Sequence, residues 1–238
     1  MAQFEKSRWA DNGFSRNYRD EADIYLPQRR HFIEMALSFY GHFIAANRAA
    51  RILDLGCGDG LFIQQLLQSQ APAEVTLVDG SEAMLAAAKA RLGERADIRF
   101  IRANFQDLLR HEPFPCNFDF VYSSLAVHHL ATAEKKELYA SIYRHLASGG
   151  CFVHYDVVLP CSDRLEKWYL SLWRQWIREQ PDMGKGEKLL TIPEQYKGNQ
   201  DNMPDSLEVQ LAMLKQIGFQ HVDCYYKYGI FALFGGSR

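Results

Sequence analysis

The stretch Arg51-Ile-Leu-Asp-Leu-Gly-Cys-Gly-Asp-Gly-Leu61 decides the fold of this chain. A short apolar run that contains Asp54 ends in three glycines, Gly56, Gly58 and Gly60, each two residues from the next. Because glycine has no Cβ, it adopts positive φ and lets a ligand lie against the main chain. A buried parallel strand, a glycine turn and a helix together hold a nucleotide-like cofactor at the carboxyl end of a sheet. The stretch therefore predicts a cofactor site in an α/β domain.

The spacing of the glycines separates two kinds of cofactor site. The dinucleotide fingerprint G-x-G-x-x-G would place its third glycine at position 61, which is Leu61 here, so the third glycine comes one residue early. The pattern D-x-G-x-G-x-G over 54–60 instead resembles motif I of the class I methyltransferases that use S-adenosylmethionine. A glycine-rich loop without a ligand is the ordinary alternative. The residues that the resemblance assigns to the cofactor loop are Asp54, Gly56, Cys57 and Gly58.

Composition fits one large α/β domain, or one domain with an insertion. The chain has 238 residues, 47% of them hydrophobic and 24% charged, which is enough for one sizeable core. The net charge of −2 provides no basic field that would favour nucleic acid. Five cysteines without a C-x-x-C pair indicate a reduced, cytoplasmic protein without a metal site. We expect neither a signal peptide nor a membrane-spanning helix.

The sequence Val75-Thr-Leu-Val-Asp79 predicts a second buried strand that ends in an acidic residue. Asp79 lies 19 residues after Gly60 (79 − 60 = 19). A carboxylate at this place can accept hydrogen bonds from both ribose hydroxyls of an adenosine. A helix-capping or solvated aspartate is the alternative. The predicted cofactor site also includes Gly80 and Ser81, and Ser81 is the expected N-cap of the helix that follows.

The resemblance places the adenine ring among residues that follow the second and third strands. Met84, in the first turn of the helix 82–92, would pack against the ring, although an ordinary core methionine is the alternative. The third strand, 97–102, precedes Asn104, where the family usually has an acidic residue that accepts from the adenine amino group. The asparagine carbonyl can accept the same bond. Phe105 would place an apolar face or its backbone N–H near the ring.

The sequence Phe118-Asp-Phe-Val-Tyr-Ser-Ser-Leu-Ala-Val-His-His-Leu130 predicts a fourth strand and resembles motif IV of the same family. The resemblance implies that this strand ends beside the methyl group, with Ser123 and Leu125 as backbone contacts of the cofactor. His128 is the candidate catalytic base and a candidate substrate contact, because a neutral imidazole accepts a proton near physiological pH. A structural histidine pair ahead of a helix is the ordinary alternative.

Two segments outside the central motifs are predicted to cover the site. Residues 1–46 form an amino-terminal helical arm, from which Tyr18 or Tyr25 would touch the cofactor by analogy with the family. Residues 161–204 form a helical insertion after the fifth strand, placed so that it can fold over the acceptor. A packing helix followed by a mobile loop is the alternative. The apolar stripe expected on this helix comprises Leu165, Tyr169, Leu172 and Trp176.

Two aromatic residues are candidate substrate contacts because of their place in the chain. Tyr155 stands at the carboxyl end of the fifth strand, and Trp168 lies beside the stripe of the insertion helix. The chain then ends in a helix that starts near Asp205 and in two strands joined by a tight link. In the family that it resembles, the seventh strand runs antiparallel beside the fifth.

The predicted fold is therefore α/β, a Rossmann-like seven-stranded sheet in the order 3-2-1-4-5-7-6. Strand 7 is antiparallel, helices lie on both faces, and the core domain comprises 47–160 and 205–238. The predicted function is methyl transfer from S-adenosylmethionine by in-line displacement to an unidentified small molecule, with S-adenosylhomocysteine as product. We expect a monomer or homodimer that does not bind membranes, and a tRNA substrate stays open.

Three alternative functions follow from the same residues. The arm and the motifs are loosely similar to enzymes that make carboxy-S-adenosylmethionine for tRNA modification. Such a site needs a cation for the extra carboxylate, and the candidates are Arg164, Arg174 and Arg178, unless they form a solvated helix face. A non-catalytic cofactor-binding module is the second alternative. A nicotinamide-dependent dehydrogenase is the weakest, because its sheet is not expected to end in an antiparallel hairpin.

Overall fold

The computed structural model describes residues 13, 21–47, 49–111, 117–180 and 188–238 of the chain. Seven strands form one sheet in the order β3-β2-β1-β4-β5-β7-β6, which confirms the predicted order. The strands are β1 (Arg51–Leu55), β2 (Glu74–Asp79), β3 (Ile98–Arg102), β4 (Phe118–Ser124), β5 (Leu146–Val157), β6 (Gln220–Tyr228) and β7 (Phe231–Ser237).

The direction of the strands brings the predicted motifs to one edge of the sheet. β1 pairs in parallel with β2 and with β4, and the parallel pairing continues to β3 on one side and to β5 on the other. β7 runs antiparallel to both β5 and β6, as predicted. Parallel strands end at the same edge, so the loops after β1, β2, β3 and β4 lie side by side.

Helices cover both faces of the sheet, and a separate apolar cluster lies between the sheet and the helices on each face. Ile52 belongs to one cluster and Leu53 to the other, because successive strand residues point to opposite faces. The helices are α1 (Arg29–Phe43), α2 (Leu61–Ser69), α3 (Glu82–Leu92), α4 (Phe105–His111), α5 (Thr132–His145), α6 (Asp163–Arg178), α7 (Ile192–Gly198) and α8 (Leu207–Ile217). Within the described parts of the chain, no helix combines the length and hydropathy that crossing a bilayer requires.

Local capping fixes where several of these helices begin. The hydroxyl oxygens of Ser81 and Ser206 accept hydrogen bonds from backbone N–H groups in the first turns of α3 and α8. The predicted cap at Ser81 is thus confirmed. α1 begins at Arg29, two residues after Pro27, because Gln28 takes a left-handed conformation with φ 56°.

Candidate active site

A cavity of about 640 Å³ opens at the carboxyl edge of the parallel strands. Its walls come from the loops after β1 to β4, from residues 21–33, from α6 and from residues 188–203, which we call the cover segment. A volume of this size is typical of small-molecule and cofactor sites. The structure brings to this cavity the predicted residues Tyr25, Asp54, Gly56, Cys57, Gly58, Asp79, Gly80, Met84, Asn104, Phe105, Leu125 and His128.

Two glycines of the loop after β1 are required for different reasons. Gly56 has φ 68°, and a Cβ there would lie 2.5 Å from the Cβ of Ala126, so only glycine allows the loop to approach the turn after β4. Gly58 has φ 54°, and a Cβ there would meet no protein atom within 4 Å. Because Gly58 lines the cavity, a side chain at this position would occupy space that a ligand can use.

Asp79 connects the glycine loop to the turn after β2. Its carboxylate accepts hydrogen bonds from the backbone N–H of Gly58 at 2.9 Å and of Ser81 at 2.8 Å. Desolvation raises the pKa of Asp79 to about 6, although these two bonds oppose the rise. A carboxylate offers about four lone-pair sites, so the ionised group can still accept from a diol. The Ser81 hydroxyl, by contrast, is used to cap α3, and Ser81 is not part of the cavity wall.

Acidic groups concentrate negative potential at the glycine loop. Asp54 is 2% exposed, and burial, followed by the nearby Asp79 and Asp59, raises its pKa well above the usual value. Asp59 itself forms an ion pair with Arg91. Burial and the same carboxylates also raise the pKa of the Cys57 thiol, which therefore stays neutral. A positively charged ligand would relieve this repulsion.

The loop after β3 places Asn104 and Phe105 at the cavity wall, where α4 begins. The side-chain oxygen of Asn104 accepts a hydrogen bond from the backbone N–H of Asp107 at 2.9 Å. The amide thus caps the helix, and an adenine amino group would have to share the same oxygen. In the turn directly after β4, Leu125 lines the cavity with φ 51°, an unfavourable conformation for leucine that the bond from its N–H to Tyr155 O helps to hold.

His128 is held by a buried carboxylate behind it. Asp156, 1% exposed, lies 2.6 Å from Nδ1 of His128 and accepts from the backbone N–H of the same residue at 2.9 Å. A carboxylate only accepts, so the hydrogen-bond network assigns the ring hydrogen to Nδ1. Nε2 makes no hydrogen bond within the described chain, and in the neutral ring it carries the lone pair. The geometry is that of an oriented base.

Further buried groups keep Asp156 ionised. Nε2 of His154 lies 3.1 Å from the carboxylate, and the backbone N–H of Val157 donates to it at 2.9 Å. Burial alone would raise the pKa of Asp156, but the charge and hydrogen bond of His128 and the bond from His154 outweigh it and hold the pKa well below its usual range. The network continues from His154 to Tyr139, whose hydroxyl lies near Nδ1 of His154 and donates to the side-chain oxygen of Gln210.

The cover segment is fastened to the same histidine turn. The backbone N–H of Met203 donates to the carbonyl of His128 at 2.8 Å, and Nδ1 of His129 lies 3.1 Å from the carbonyl of Asp201. Lys135, 1% exposed, donates to the carbonyl of Met203 and to the carboxylate of Asp205. These bonds fix the end of the cover segment against the catalytic candidate.

Two of the predicted contacts on the central strands lie in the core instead of the cavity wall. Ser123 is fully buried, and its hydroxyl donates to the carbonyl of Leu55 at 2.7 Å, which ties β4 to β1. The next residue, Ser124, is the one that reaches the wall, because neighbouring strand residues face opposite ways. Tyr155 is also fully buried and stacks on Phe32 with ring centroids 4.2 Å apart. Tyr18 lies outside the described residues.

The insertion helix buries residues one position along from the predicted stripe. The buried residues of α6 are Leu170, Trp173 and Ile177, and the predicted Leu165, Tyr169, Leu172 and Trp176 are partly buried beside them. Trp168 is 55% exposed and outside the cavity, whereas Trp173 lines it. The two residues lie roughly 140° apart around a helix with 3.6 residues per turn. The helix is strongly amphipathic, but aromatic residues stand on both faces, so the sequence pattern did not identify the buried one.

The sequence analysis missed several side chains that line the cavity. Arg29, Trp173 and Tyr196 belong to this group, and Lys188 lies at the start of the cover segment. Arg29 forms an ion pair with Asp23 at 2.6 Å. None of the predicted cation candidates Arg164, Arg174 and Arg178 is in the wall, and Arg174 forms an ion pair with Glu194. Among the described residues, no group of three or more His, Cys, Asp or Glu is placed to hold a metal ion.

Comparison with known proteins agrees with this geometry. A methyltransferase-domain model matches residues 52–150, which span β1 to the start of β5. A malonyl-[acyl-carrier protein] O-methyltransferase of Ilyobacter polytropus is 28% identical over 82% of this chain and 66% of its own length. A carboxy-S-adenosyl-L-methionine synthase of Helicobacter pylori is 24% identical over 91% of this chain and 88% of its own.

A solved structure shares the fold. Phosphoethanolamine N-methyltransferase 2 of Haemonchus contortus, in complex with S-adenosyl-L-methionine, superposes with a TM-score of 0.61 at 19% identity. The match covers 93% of this chain and 45% of that one. The sheet order, the glycine loop and the domain match support a class I methyltransferase. The methyltransferase-domain match and the methyltransferase relative support an enzyme of this class that uses S-adenosylmethionine.

Proposed function

We propose that this enzyme methylates a small molecule enclosed between the glycine loop and the cover segment. The observation that carries the proposal is the position of His128. It lies in the same cavity as the cofactor loop, with Nδ1 held by Asp156 and Nε2 unbonded within the described chain. The cover segment then limits the acceptor to molecules that fit inside, which argues against a folded tRNA.

The residues around the glycine loop fit the chemical groups of the cofactor. Gly58 leaves the wall open, so Asp79 would accept from the ribose hydroxyls and Met84, which lines the cavity, would pack against the base. A bound ammonium or sulfonium would favour ionisation of the buried Asp54 and offset its repulsion from Asp79 and Asp59. When bound, S-adenosylmethionine supplies an electrophilic methyl group on a positively charged sulfur. The protein therefore mainly has to align the acceptor for in-line displacement and exclude water.

His128 takes the proton of the acceptor as the reaction proceeds. Asp156 orients the imidazole and stabilises the imidazolium that forms, since it is ionised and hydrogen-bonded to Nδ1. General bases of this kind contribute about 10²–10⁴-fold to a rate. We assign the amino-terminal arm 1–46 and the insertion 161–204 the role of covering the reacting groups, because Tyr25, Trp173 and the cover segment line the cavity.

Label transfer tests this proposal. The purified enzyme is incubated with S-adenosylmethionine labelled in the methyl group and, separately, with a metabolite extract below about 1 kDa and with total tRNA. We expect label in the metabolite fraction and S-adenosylhomocysteine in equal amount. Label in tRNA alone would contradict the proposal of an enclosed small acceptor.

One alternative keeps the cofactor and changes the reaction. The similarity to the carboxy-S-adenosyl-L-methionine synthase of Helicobacter pylori extends over 91% of this chain and favours a carboxylated cofactor. The expected cations Arg164, Arg174 and Arg178 are not in the cavity wall. Among the described residues, the arginine and lysine side chains that line the wall are Arg29 and Lys188. Mass spectrometry of the cofactor released from the purified protein distinguishes S-adenosylmethionine from its carboxylated form. We expect no carboxylated species.

A further inference from the structure

Beyond His128, the cavity has an aromatic wall, formed by Trp173, Tyr196 and Phe231. The ring of Trp173 lies 5.0 Å from that of Phe231 in an edge-on arrangement and 5.7 Å from that of Tyr196. Trp173 is held in place by a hydrogen bond from Nε1 to the carbonyl of Tyr25. None of the three side chains carries a charge. A pocket walled in this way favours a neutral, planar ligand, because a charge would lose its hydration there.

Tyr196 brings one polar atom to this wall. Its ring centroid lies 6.1 Å from that of His128, and its hydroxyl is closed off from solvent without a hydrogen bond to any described residue. Tyr196 also lines a second cavity of about 220 Å³. Burial raises the pKa of Tyr196, with a contribution from Asp156, so the hydroxyl keeps its proton and can donate. A buried polar group of this kind calls for a partner.

The proton chemistry narrows the acceptor further. Nε2 of His128 is the base beside Tyr196, and an imidazole can take a proton from a phenol, whose pKa is about 10. Proton transfer from an aliphatic alcohol is far less favourable. A carboxylate has already lost its proton, and an ammonium would lose its hydration in the aromatic wall.

We propose that the acceptor is a neutral aromatic or enolic hydroxyl compound, and that the Tyr196 hydroxyl donates to an oxygen of it beside His128. The inference rests on the proposed function and specifies its substrate class. In the reaction the acceptor O–H bond breaks and its proton passes to Nε2. The oxygen forms a bond to the methyl carbon, and the electron pair of the broken C–S bond stays on sulfur. The products are a methyl ether, S-adenosylhomocysteine and a protonated His128.

Binding to the enzyme saturated with S-adenosylhomocysteine tests this inference without turnover. The probes are catechol, benzylamine and benzoate, which share one ring and differ in charge. Calorimetry gives the affinities, and the ultraviolet difference spectrum of catechol reports its ionisation. We expect catechol to bind at least about tenfold more tightly than the other two, and Tyr196→Phe to weaken it about tenfold, the scale of one hydrogen bond.

The control variant is Tyr225→Phe, which removes a tyrosine hydroxyl on β6, outside the cavity. It should leave the catechol affinity unchanged, and neither variant should alter the affinity for S-adenosylhomocysteine. Tighter binding of benzylamine or benzoate, or wild-type affinity of Tyr196→Phe for catechol, would overturn the inference. Binding of S-adenosylhomocysteine is measured first, and its absence would count against the proposed function. Normal S-adenosylhomocysteine binding without binding of the phenol would count against this inference alone.

Discussion

The two halves of the cavity are built in different ways. The cofactor half comes from short segments that directly follow neighbouring parallel strands and contain Asp54, Gly58, Asp79 and Asn104. The acceptor half combines the turn at His128 with side chains from α6, the cover segment and β7, which are distant in sequence. Sheet topology alone assembles the first half, whereas the second depends on long-range packing. The cofactor half is thus a property of the fold, and the acceptor half is a property of this particular chain.

The largest effect should come from filling the cofactor half. Gly58→Val places a β-branched side chain at φ 54°, where L-residues are strained, and in the space that the ligand needs. We expect binding of S-adenosylhomocysteine to become undetectable by calorimetry. Gly93→Ala is the control, because Gly93 has φ 73° and equally open surroundings but lies outside the cavity. Equal losses in both variants would show that backbone strain, and not the site, is responsible.

The next largest effect should separate chemistry from binding in the acceptor half. His128→Ala removes the proposed base and should slow S-adenosylhomocysteine formation with the acceptor fraction by about 10²–10⁴-fold. Affinity for S-adenosylhomocysteine should stay within about twofold, since His128 does not hold the cofactor. His42→Ala, on the exposed face of α1, is the control and should retain wild-type rates. An unchanged rate for His128→Ala would leave the histidine a structural role only.

A smaller effect is expected at the ribose contact. Asp79→Ala should weaken binding of S-adenosylhomocysteine by roughly 1.5–3 kcal/mol, the scale of hydrogen bonds to a charged group. Titration calorimetry at pH 8 measures it, where the carboxylate is ionised. Asp97→Ala removes a surface carboxylate outside the cavity and is the control. If Asp79→Ala binds as the wild type does, Asp79 is not a cofactor contact.

Protonation of Asp79 should change cofactor affinity and the stability of the ligand-free protein in opposite directions. Because the pKa of Asp79 is raised to about 6 in the folded protein, the group becomes protonated as the pH falls through 6, and cofactor affinity should fall with it. The ligand-free protein should instead gain stability from this group between pH 6 and 4, since the folded state binds the proton more tightly than the unfolded state. Asp79→Asn should remove the affinity trend and reduce the stability trend, to which Asp54, whose pKa burial also raises, contributes with the same sign.

The cofactor half of the cavity could be predicted from the sequence, whereas much of the acceptor half could not. The sheet order and the glycine loop were predictable, because strand patterns and φ requirements are local. Ser123, Tyr155 and Trp168 were misplaced, since which face of a strand or helix meets the cavity depends on tertiary packing. Tyr196 gave no local signal at all, because its part in the wall arises from contacts with Trp173 and His128 across the fold.

The smallest effect should appear where the arm meets the insertion. Trp173→Phe keeps the ring but removes the hydrogen bond to Tyr25, and we expect the free energy of unfolding to fall by about 0.5–1.5 kcal/mol. Urea denaturation measures it. Trp168→Phe, at a 55% exposed site on the same helix, should stay within about 0.5 kcal/mol of the wild type. A larger loss of stability in Trp168→Phe than in Trp173→Phe would mean that Trp168, and not Trp173, is the tryptophan of α6 that faces the cavity.

A crystal structure of the enzyme with S-adenosylhomocysteine would show where the nucleoside lies. We expect it against Gly58, with its ribose hydroxyls within hydrogen-bonding distance of Asp79. We also expect the sulfur to point towards a space bounded by His128 and the aromatic wall. A nucleoside bound elsewhere, or a glycine loop filled by the protein's own side chains, would contradict this expectation.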